Sequence, residues 1–484
     1  MSLDLRAILI FCAGAILYAG LLPVRARAWT LLVASVVAIY WLQPALPIRF
    51  SDYVLPTAAI VITVATWRLT RPSGEAKLRE DRVTLGVIVA LVVGMSFMRF
   101  VSADFRLTAS RPPDPLSVIV ALFLVSALLT GLARLLRERD RRRVLTMGIL
   151  IVAGLFVVLK TEPLAVILSR LWRSLTGQDT SLAGVADLNW LGFSYLAFRL
   201  IHTLRDRQTG ILPAMSLREH VTYVVFFPAY TAGPIDRAER FVQDLRALPG
   251  ITGLDSARFT DGLRRIVTGL FKKFVIADSL AQGMSLNAIN AAQVHSTLWL
   301  WVLLYGYALR LYFDFAGYSD IAIGIGLLFG IRLPENFNRP YLKTTITAFW
   351  QSWHMTLSNW ARFYVFSPLS RWLLTRPHKL SPTLIVLSTQ IATMVVIGLW
   401  HGVTVNFFIW GLWHGLALFL HKQWSDRTRK LYPRLNGSPW RKRAWTALTW
   451  FVTFQYVVIG WVWFALPGTA QAAQTLARLF GTGW

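Results

Sequence analysis

The chain has 484 residues, of which 55% are hydrophobic and 13% aromatic, and its formal net charge is +26. Its mean hydropathy of +0.50 is too high for an ordinary soluble domain and is typical of a protein built from membrane spans. The basic residues lie in short segments between apolar runs, which indicates cytoplasmic loops that meet anionic lipid and argues against nucleic-acid binding. The single cysteine, Cys12, lies in an apolar run, which excludes an internal disulfide and argues against a cysteine metal site or nucleophile.

Apolar runs that match, or nearly match, a membrane crossing of about 20 residues recur along the whole chain. They lie near residues 7–22, 29–47, 53–68, 84–102, 115–133, 144–159, 187–204, 267–285, 297–313, 383–400, 404–421 and 445–466. The first run resembles a signal peptide, but Asp4 precedes it and many spans follow, so we interpret it as a retained span. These runs predict an all-α polytopic membrane protein.

The basic loops alternate along the chain, and the positive-inside rule therefore predicts the topology. The segments at residues 25–27, 68–82 and 137–143 are expected in the cytoplasm, with the N-terminus outside. Residues 226–234 are apolar but lie between two basic flanks, which predicts a re-entrant hairpin that protein or water must cover. Residues 318–350, an apolar run interrupted by glycines, have the same interpretation.

Two histidines in apolar surroundings are the leading candidates for a functional site, because an ionisable residue inside a membrane is costly. His401 lies in Gly398-Leu399-Trp400-His401-Gly402, and His354 lies in Trp353-His354-Met355-Thr356. A neutral imidazole can accept the proton of a hydroxyl that attacks a thioester. The alternative is a buried histidine with only a structural hydrogen bond. His414 and His421 are expected to have a structural or interfacial role. The loop parity places His401 toward the outer half of the protein and His354 toward the inner half.

Polar residues next to these segments provide further candidates. Asp314 and Asp320 lie in aromatic sequence, and Arg310 precedes Asp314 by one helical turn, which fits either an ion pair between helices or the proton pathway of a transporter. Asn336 and Asn338 offer amide hydrogen bonds at a chain break, although a turn would also explain them. The sequence lacks His-Glu-x-x-His and Gly-x-Ser-x-Gly, so we expect neither a metal site nor a serine hydrolase, and Ser319 and Ser358 remain hydrogen-bond partners.

Taken in order, these motifs resemble the membrane-bound O-acyltransferase (MBOAT) family, in its bacterial branch that acylates cell-envelope polymers. The resemblance begins near Leu191 and is carried by six segments, at residues 192–195, 232–237, 314–320, 335–341, 349–354 and 398–402. It implies a catalytic core in residues 181–484, preceded by variable transmembrane helices in residues 1–180. The implied fold is a ring of about 11–13 transmembrane helices with re-entrant segments around a thin central tunnel.

The resemblance also implies a site. His401 matches the family's invariant histidine and His354 its second histidine, so His401 is expected to be the base or the residue that orients the hydroxyl, and His354 to position the donor. Asn338, Trp353, Trp400, Asp314 and Ser358 are the expected substrate-binding residues. The expected donor is a cytoplasmic thioester, on coenzyme A or on the phosphopantetheine of an acyl carrier protein, with no tightly bound cofactor.

The sequence resembles two branches of the family. Gly233-Pro234-Ile235-Asp236-Arg237 resembles the D-alanyl transfer proteins of teichoic acid, whereas Glu335-Asn336-Phe337-Asn338 resembles the O-acetylation proteins of alginate and cellulose. We therefore expect transfer of acetyl or D-alanyl to a polymer outside the cytoplasm, or to a periplasmic acyltransferase partner, from a bacterial inner or plasma membrane. The alternative is a transporter that exports an acyl donor or polymer without the chemistry.

Overall fold

The computed structural model describes residues 4–72, 78–136, 139–251, 255–377, 380–429 and 437–483. Within these ranges the regular structure is helical and contains no strand, which confirms the predicted all-α class. Parts of the predicted basic loops, including Arg137 and Glu138, lie outside the described residues.

Contacts between residues divide the chain into two compact units. One unit contains residues 1–266 and 322–333, and the other contains residues 267–321 and 334–484. This division differs from the predicted boundary at residue 180, which concerned the extent of the catalytic core and stays a prediction.

The first unit is built from helices of very different lengths. Its α-helices span Leu5–Leu21, Arg27–Trp41, Ser51–Thr70, Leu78–Ser96, Pro115–Leu135, Arg141–Lys160, Glu162–Leu175, Phe193–Thr209, Leu217–Val224, Phe227–Tyr230, Ala238–Ala247 and Ser256–Leu270, of which the last extends into the second unit. The helix Thr297–Leu328 contributes its last residues to this unit.

The break between Val224 and Phe227 is stabilised by a buried arginine. Arg199 is 2% exposed, and its guanidinium donates to the carbonyl oxygens of Val224 and Ala229, each at 2.7 Å. Carbonyls that a helix leaves unpaired must find donors when they are buried, and a guanidinium supplies several in fixed directions. Residues 224–230 are all buried, so the interrupted backbone is covered by protein, as the re-entrant interpretation of residues 226–234 requires.

The second unit contains the remaining α-helices of the described residues, and two of them end at His401 or begin just after His354. They span Asp278–Ala281, Ala288–Gln293, most of Thr297–Leu328, Ile346–Trp350, Met355–Ala361, Ser367–Leu374, Pro382–His401, Val405–Thr428, Pro439–Ala465 and Thr469–Leu479.

The helices Pro382–His401 and Val405–Thr428 pack closely against each other through a glycine. A Cβ atom on Gly411 would lie 2.6 Å from the carbonyl oxygen of Met394, so a larger residue at this position would force the helices apart. The three-residue connection at 402–404 makes the two helices antiparallel neighbours. This packing fixes the position of His401 at the end of the first helix.

Eight helices in the described parts of the chain are long and apolar enough to cross a membrane, and Leu5–Leu21 is a shorter apolar helix. The protein is therefore a multi-pass membrane protein by the length and composition of its helices. The larger total of about 11–13 spans, the re-entrant topology and the central tunnel stay predictions.

Candidate functional site

His354 occupies a backbone position that few residues with a side chain adopt. It precedes the helix Met355–Ala361 and has φ 41° and ψ 54°, in the left-handed region. The backbone N–H of Met355 donates to the carbonyl oxygen of Asn336 at 2.9 Å, and the N–H of Ser358 donates to the carbonyl oxygen of His354 at 3.0 Å. These bonds hold a conformation that costs a residue of this kind about 1–3 kcal/mol, and such positions are concentrated at functional sites.

The side chain of Asn336 connects His354 to its surroundings. Asn336 is fully buried, and its Oδ1 lies 3.2 Å from Nδ1 of His354 and 2.7 Å from Oγ1 of Thr356. Its Nδ2 donates to Oγ of Ser319 at 3.1 Å, from the long helix Thr297–Leu328. The amide therefore links three separate segments of the second unit around one imidazole.

The imidazole of His354 is surrounded by aromatic rings. It is 2% exposed and makes edge contacts with Phe315, with ring centroids 4.6 Å apart, and with Trp400, at 5.9 Å. Burial, together with the nearby His401, holds the pKa of His354 well below its ordinary value, so the imidazole is neutral at physiological pH. Its Nε2 is buried and has no hydrogen-bond partner in the part of the chain that the structure describes.

His401 also contacts the indole of Trp400. It is the last residue of the helix Pro382–His401, which ends because Gly402 has an extended backbone and Thr404 caps the next helix. Its ring lies 4.6 Å from Trp400 and 4.7 Å from Phe464, and it is partly exposed. Both histidine rings contact Trp400. Their expected placement toward opposite halves of the protein stays a prediction.

Trp353 is packed inside a cluster of aromatic rings. Its indole lies 5.1 Å from Trp461, 5.2 Å from Phe337 and 5.5 Å from Tyr341. Trp353 is 5% exposed, so it supports the segment that carries His354 rather than presenting an open face to a ligand.

Asn338 and Ser358, two of the residues expected to bind substrate, differ in how exposed they are. The side chain of Asn338 is exposed, and its backbone N–H donates to Ser352 at 3.0 Å, while the neighbouring Asn336 points to His354. Ser358 donates to the carbonyl oxygen of Trp353 at 3.2 Å and lines a cavity of about 270 Å³ together with Met355. This cavity is large enough for a small acyl group beside the helix that follows His354.

The carboxylates of the long helix are held in ion pairs. Nζ of Lys273 lies 2.7 Å from Oδ1 of Asp314, and Nζ of Lys272 lies 2.6 Å from Oδ2 of Asp320. Arg310, the partner expected for Asp314, instead donates to Oγ of Ser285 at 3.4 Å. A structural role in an ion pair therefore fits both carboxylates, with lysines from a neighbouring segment as partners.

The remaining candidates agree with structural roles. His414 is fully buried against Trp410 and Trp350, with ring centroids 4.8 and 5.1 Å apart, and His421 contacts Oγ1 of Thr347 through Nδ1 at 2.9 Å. Among the described residues, no group of three or more histidine, cysteine, aspartate or glutamate side chains could hold a metal ion.

Fold and site together define a multi-pass α-helical membrane protein with two histidines in an aromatic site. Residues 145–460 match the family model of MBOAT, the membrane-bound O-acyltransferase family, and the chain belongs to this family. This match confirms the family predicted from the six sequence motifs.

Relatives from both predicted branches are similar to this chain. The probable alginate O-acetylase of Pseudomonas fluorescens is 34% identical over 298 residues, which are 60% of this chain and 54% of that protein. The teichoic acid D-alanyltransferase of Streptococcus thermophilus is 30% identical over 286 residues, 57% of this chain and 68% of that protein. The peptidoglycan O-acetyltransferase of Helicobacter pylori is 35% identical over 281 residues, which are 57% of this chain and 49% of that protein. The chain spans about half the length of the alginate and peptidoglycan relatives.

Proposed function

We propose that the chain is a membrane O-acyltransferase that moves a small acyl group, acetyl or D-alanyl, onto hydroxyls of a cell-envelope polymer. The observation that carries this proposal is that His354 and His401 both contact the indole of Trp400 in a chain of this family. Two imidazoles among aromatic rings, in a region of low dielectric constant, suit proton transfer during attack by a hydroxyl.

In the proposed reaction a cytoplasmic thioester, on coenzyme A or on an acyl carrier protein, supplies the acyl group. The hydroxyl oxygen forms a bond to the thioester carbonyl carbon, the bond from carbon to sulfur breaks, and the thiolate takes up the proton that the hydroxyl lost. The acceptor is a polysaccharide or teichoic-type polymer outside the cytoplasm, or a periplasmic partner that passes the group on. The membrane is then the bacterial inner or plasma membrane.

The alginate, peptidoglycan and teichoic acid relatives support a polymer acceptor, because their names state acyl transfer to such polymers. The ion pairs of Asp314 and Asp320 with lysines weigh against the alternative of a transporter with protonatable carboxylates, because each carboxylate already has a lysine partner within the protein.

The test uses purified protein in liposomes with a labelled acyl thioester and a hydroxyl acceptor. We expect release of free thiol and labelled ester from the wild type, and loss of both from His401→Ala and His354→Gln, with unchanged insertion. His421→Gln serves as the control, because His421 contacts Thr347 rather than the aromatic site. Export of unmodified donor without thiol release would instead establish transport.

A further inference from the structure

The first two helices of the first unit, Leu5–Leu21 and Arg27–Trp41, line a cavity of about 730 Å³. The lining on the first helix extends from Arg6 to Leu21, which corresponds to about 22 Å along the helix axis. The volume is within the range of about 300–1,000 Å³ that is typical of ligand sites. The cavity is therefore elongated and large enough for a ligand of the length of a lipid chain.

Most of the lining is apolar, and part of it faces the exterior of the protein. Ile10 and Leu17 line the cavity and are 46% and 57% exposed. Gly14 lies between them on the same helix, and a Cβ atom there would meet no heavy atom within 4 Å. Phe227 and Phe329, which are buried and have ring centroids 5.2 Å apart, also line the cavity. A lipid chain is as apolar as these side chains, so it can enter from the bilayer and lie against them.

Three charged side chains line the cavity, and all three lie at the same end. Arg6 is in the first turn of its helix, and the short connection at 22–26 makes the next helix an antiparallel neighbour. Trp41, the last residue of that second helix, therefore lies at the end of Arg6. Asp104 and Arg106 complete the charged lining from a loop farther along the chain.

Hydrogen bonds tie this loop to that end. The helix Ser51–Thr70 begins shortly after Trp41, and its first turn contains Asp52, which is 1% exposed. The backbone N–H and the hydroxyl of Ser110 each donate to the carboxylate of Asp52 at 2.6 Å. Within the loop, Nη2 of Arg106 donates to a backbone carbonyl oxygen five residues before it, at 3.2 Å. The charged end of the cavity is therefore held in place by the fold.

The three charges do not neutralise one another. Among the described residues, neither arginine nor Asp104 forms an ion pair. A guanidinium binds a phosphate through paired hydrogen bonds, and a carboxylate binds an ammonium group. The ligand that complements this end carries both a phosphate and an ammonium group, and the rest of the cavity requires that it also carries a hydrocarbon chain.

We propose that the cavity binds a phospholipid with an ethanolamine headgroup, whose phosphate lies at Arg6 and Arg106 and whose ammonium group lies at Asp104. One acyl chain then lies along the first helix. Trp41 lines the same end, and indoles are common at the level of lipid headgroups. In the topology predicted from the basic loops, this end faces the outer leaflet. The lipid site lies within the first unit and does not depend on the proposed acyl transfer.

Native mass spectrometry of the purified chain tests the proposal. The protein is delipidated in detergent and titrated with phosphatidylethanolamine or phosphatidylglycerol that carry the same acyl chains. We expect one phosphatidylethanolamine to bind with a Kd about 10-fold lower than that of phosphatidylglycerol, because only the first lipid supplies an ammonium group to Asp104. Equal affinity for the two lipids would overturn the proposal.

A matched pair of glycine variants locates the bound lipid. Gly14→Phe fills the cavity, and we expect it to lose the tightly bound lipid. Gly20→Phe is the control, because Gly20 is on the same helix and also faces open space but does not line the cavity. We expect this control to bind the lipid as the wild type does. Equal binding by both variants would overturn the proposal.

Two charge variants test the headgroup at exposed positions, where loss of folding is not expected. We expect Arg6→Gln to weaken the binding of both lipids, because both carry a phosphate. Asp104→Asn should weaken only phosphatidylethanolamine and bring its Kd to that of phosphatidylglycerol. Loss of affinity for both lipids in Asp104→Asn, or for neither lipid in either variant, would overturn the proposal. Acyl transfer is not measured in these experiments, so their failure would leave the proposed function unaffected.

Discussion

Replacing His354 by glycine and by alanine separates the cost of its backbone conformation from the chemistry of its side chain. Both variants lack the imidazole, so we expect both to be inactive in acyl transfer. They differ in the cost of the left-handed backbone conformation at residue 354, where φ is 41°. Glycine adopts this conformation readily, whereas alanine does not. We therefore expect the alanine variant to be less stable than the glycine variant by about 1 kcal/mol.

The same pair of substitutions at Ser358 is the matched control. Ser358 lies inside the helix Met355–Ala361, where alanine is favoured over glycine by about 1 kcal/mol, so the order of stability should reverse. Denaturant unfolding of the four variants in one detergent measures both differences. If His354→Ala is at least as stable as His354→Gly, the left-handed conformation is wrong, and with it the geometry that directs the imidazole.

Other predictions concern packing and charge. Lys272→Met removes the lysine partner of Asp320 and should lower the unfolding midpoint in detergent, by about 2–4 kcal/mol in unfolding free energy. The double variant with Asp320→Asn should regain most of this loss. Gly411→Ala should destabilise by about 1–3 kcal/mol in the same assay because the helices cannot separate freely, while Gly131→Ala, which meets open space, should not. Asn338→Ala should change stability by less than about 0.5 kcal/mol in the same assay, because its side chain is exposed.

The helical class of the fold could be predicted from the sequence because each long apolar run is a local signal. The run predicted near 115–133, for example, is the helix Pro115–Leu135. Partners of charged residues were harder to predict, since they depend on which helices meet. Arg310 and Asp314 are one turn apart, yet Asp314 pairs with Lys273, which reaches it from another segment.

The two histidines could be singled out from the sequence because an ionisable residue in apolar sequence is rare. Their shared contact with Trp400 could not, because it results from the packing of segments far apart in the chain. Asn336 and Asn338 are chemically identical and two residues apart, and only the folded backbone determines that the first is buried against His354 and the second is exposed. The left-handed backbone at His354 left no signal in its sequence, whereas a glycine there would have suggested it.

The central claim, acyl transfer to the cell envelope, is tested most directly by the mass of the acids that mild base releases from envelopes of cells that carry the wild-type chain or its His401→Ala form. We predict that acetate or D-alanine is released from the wild type and is lost in the variant at equal protein level. Equal release of both acids from the two strains would contradict the claim.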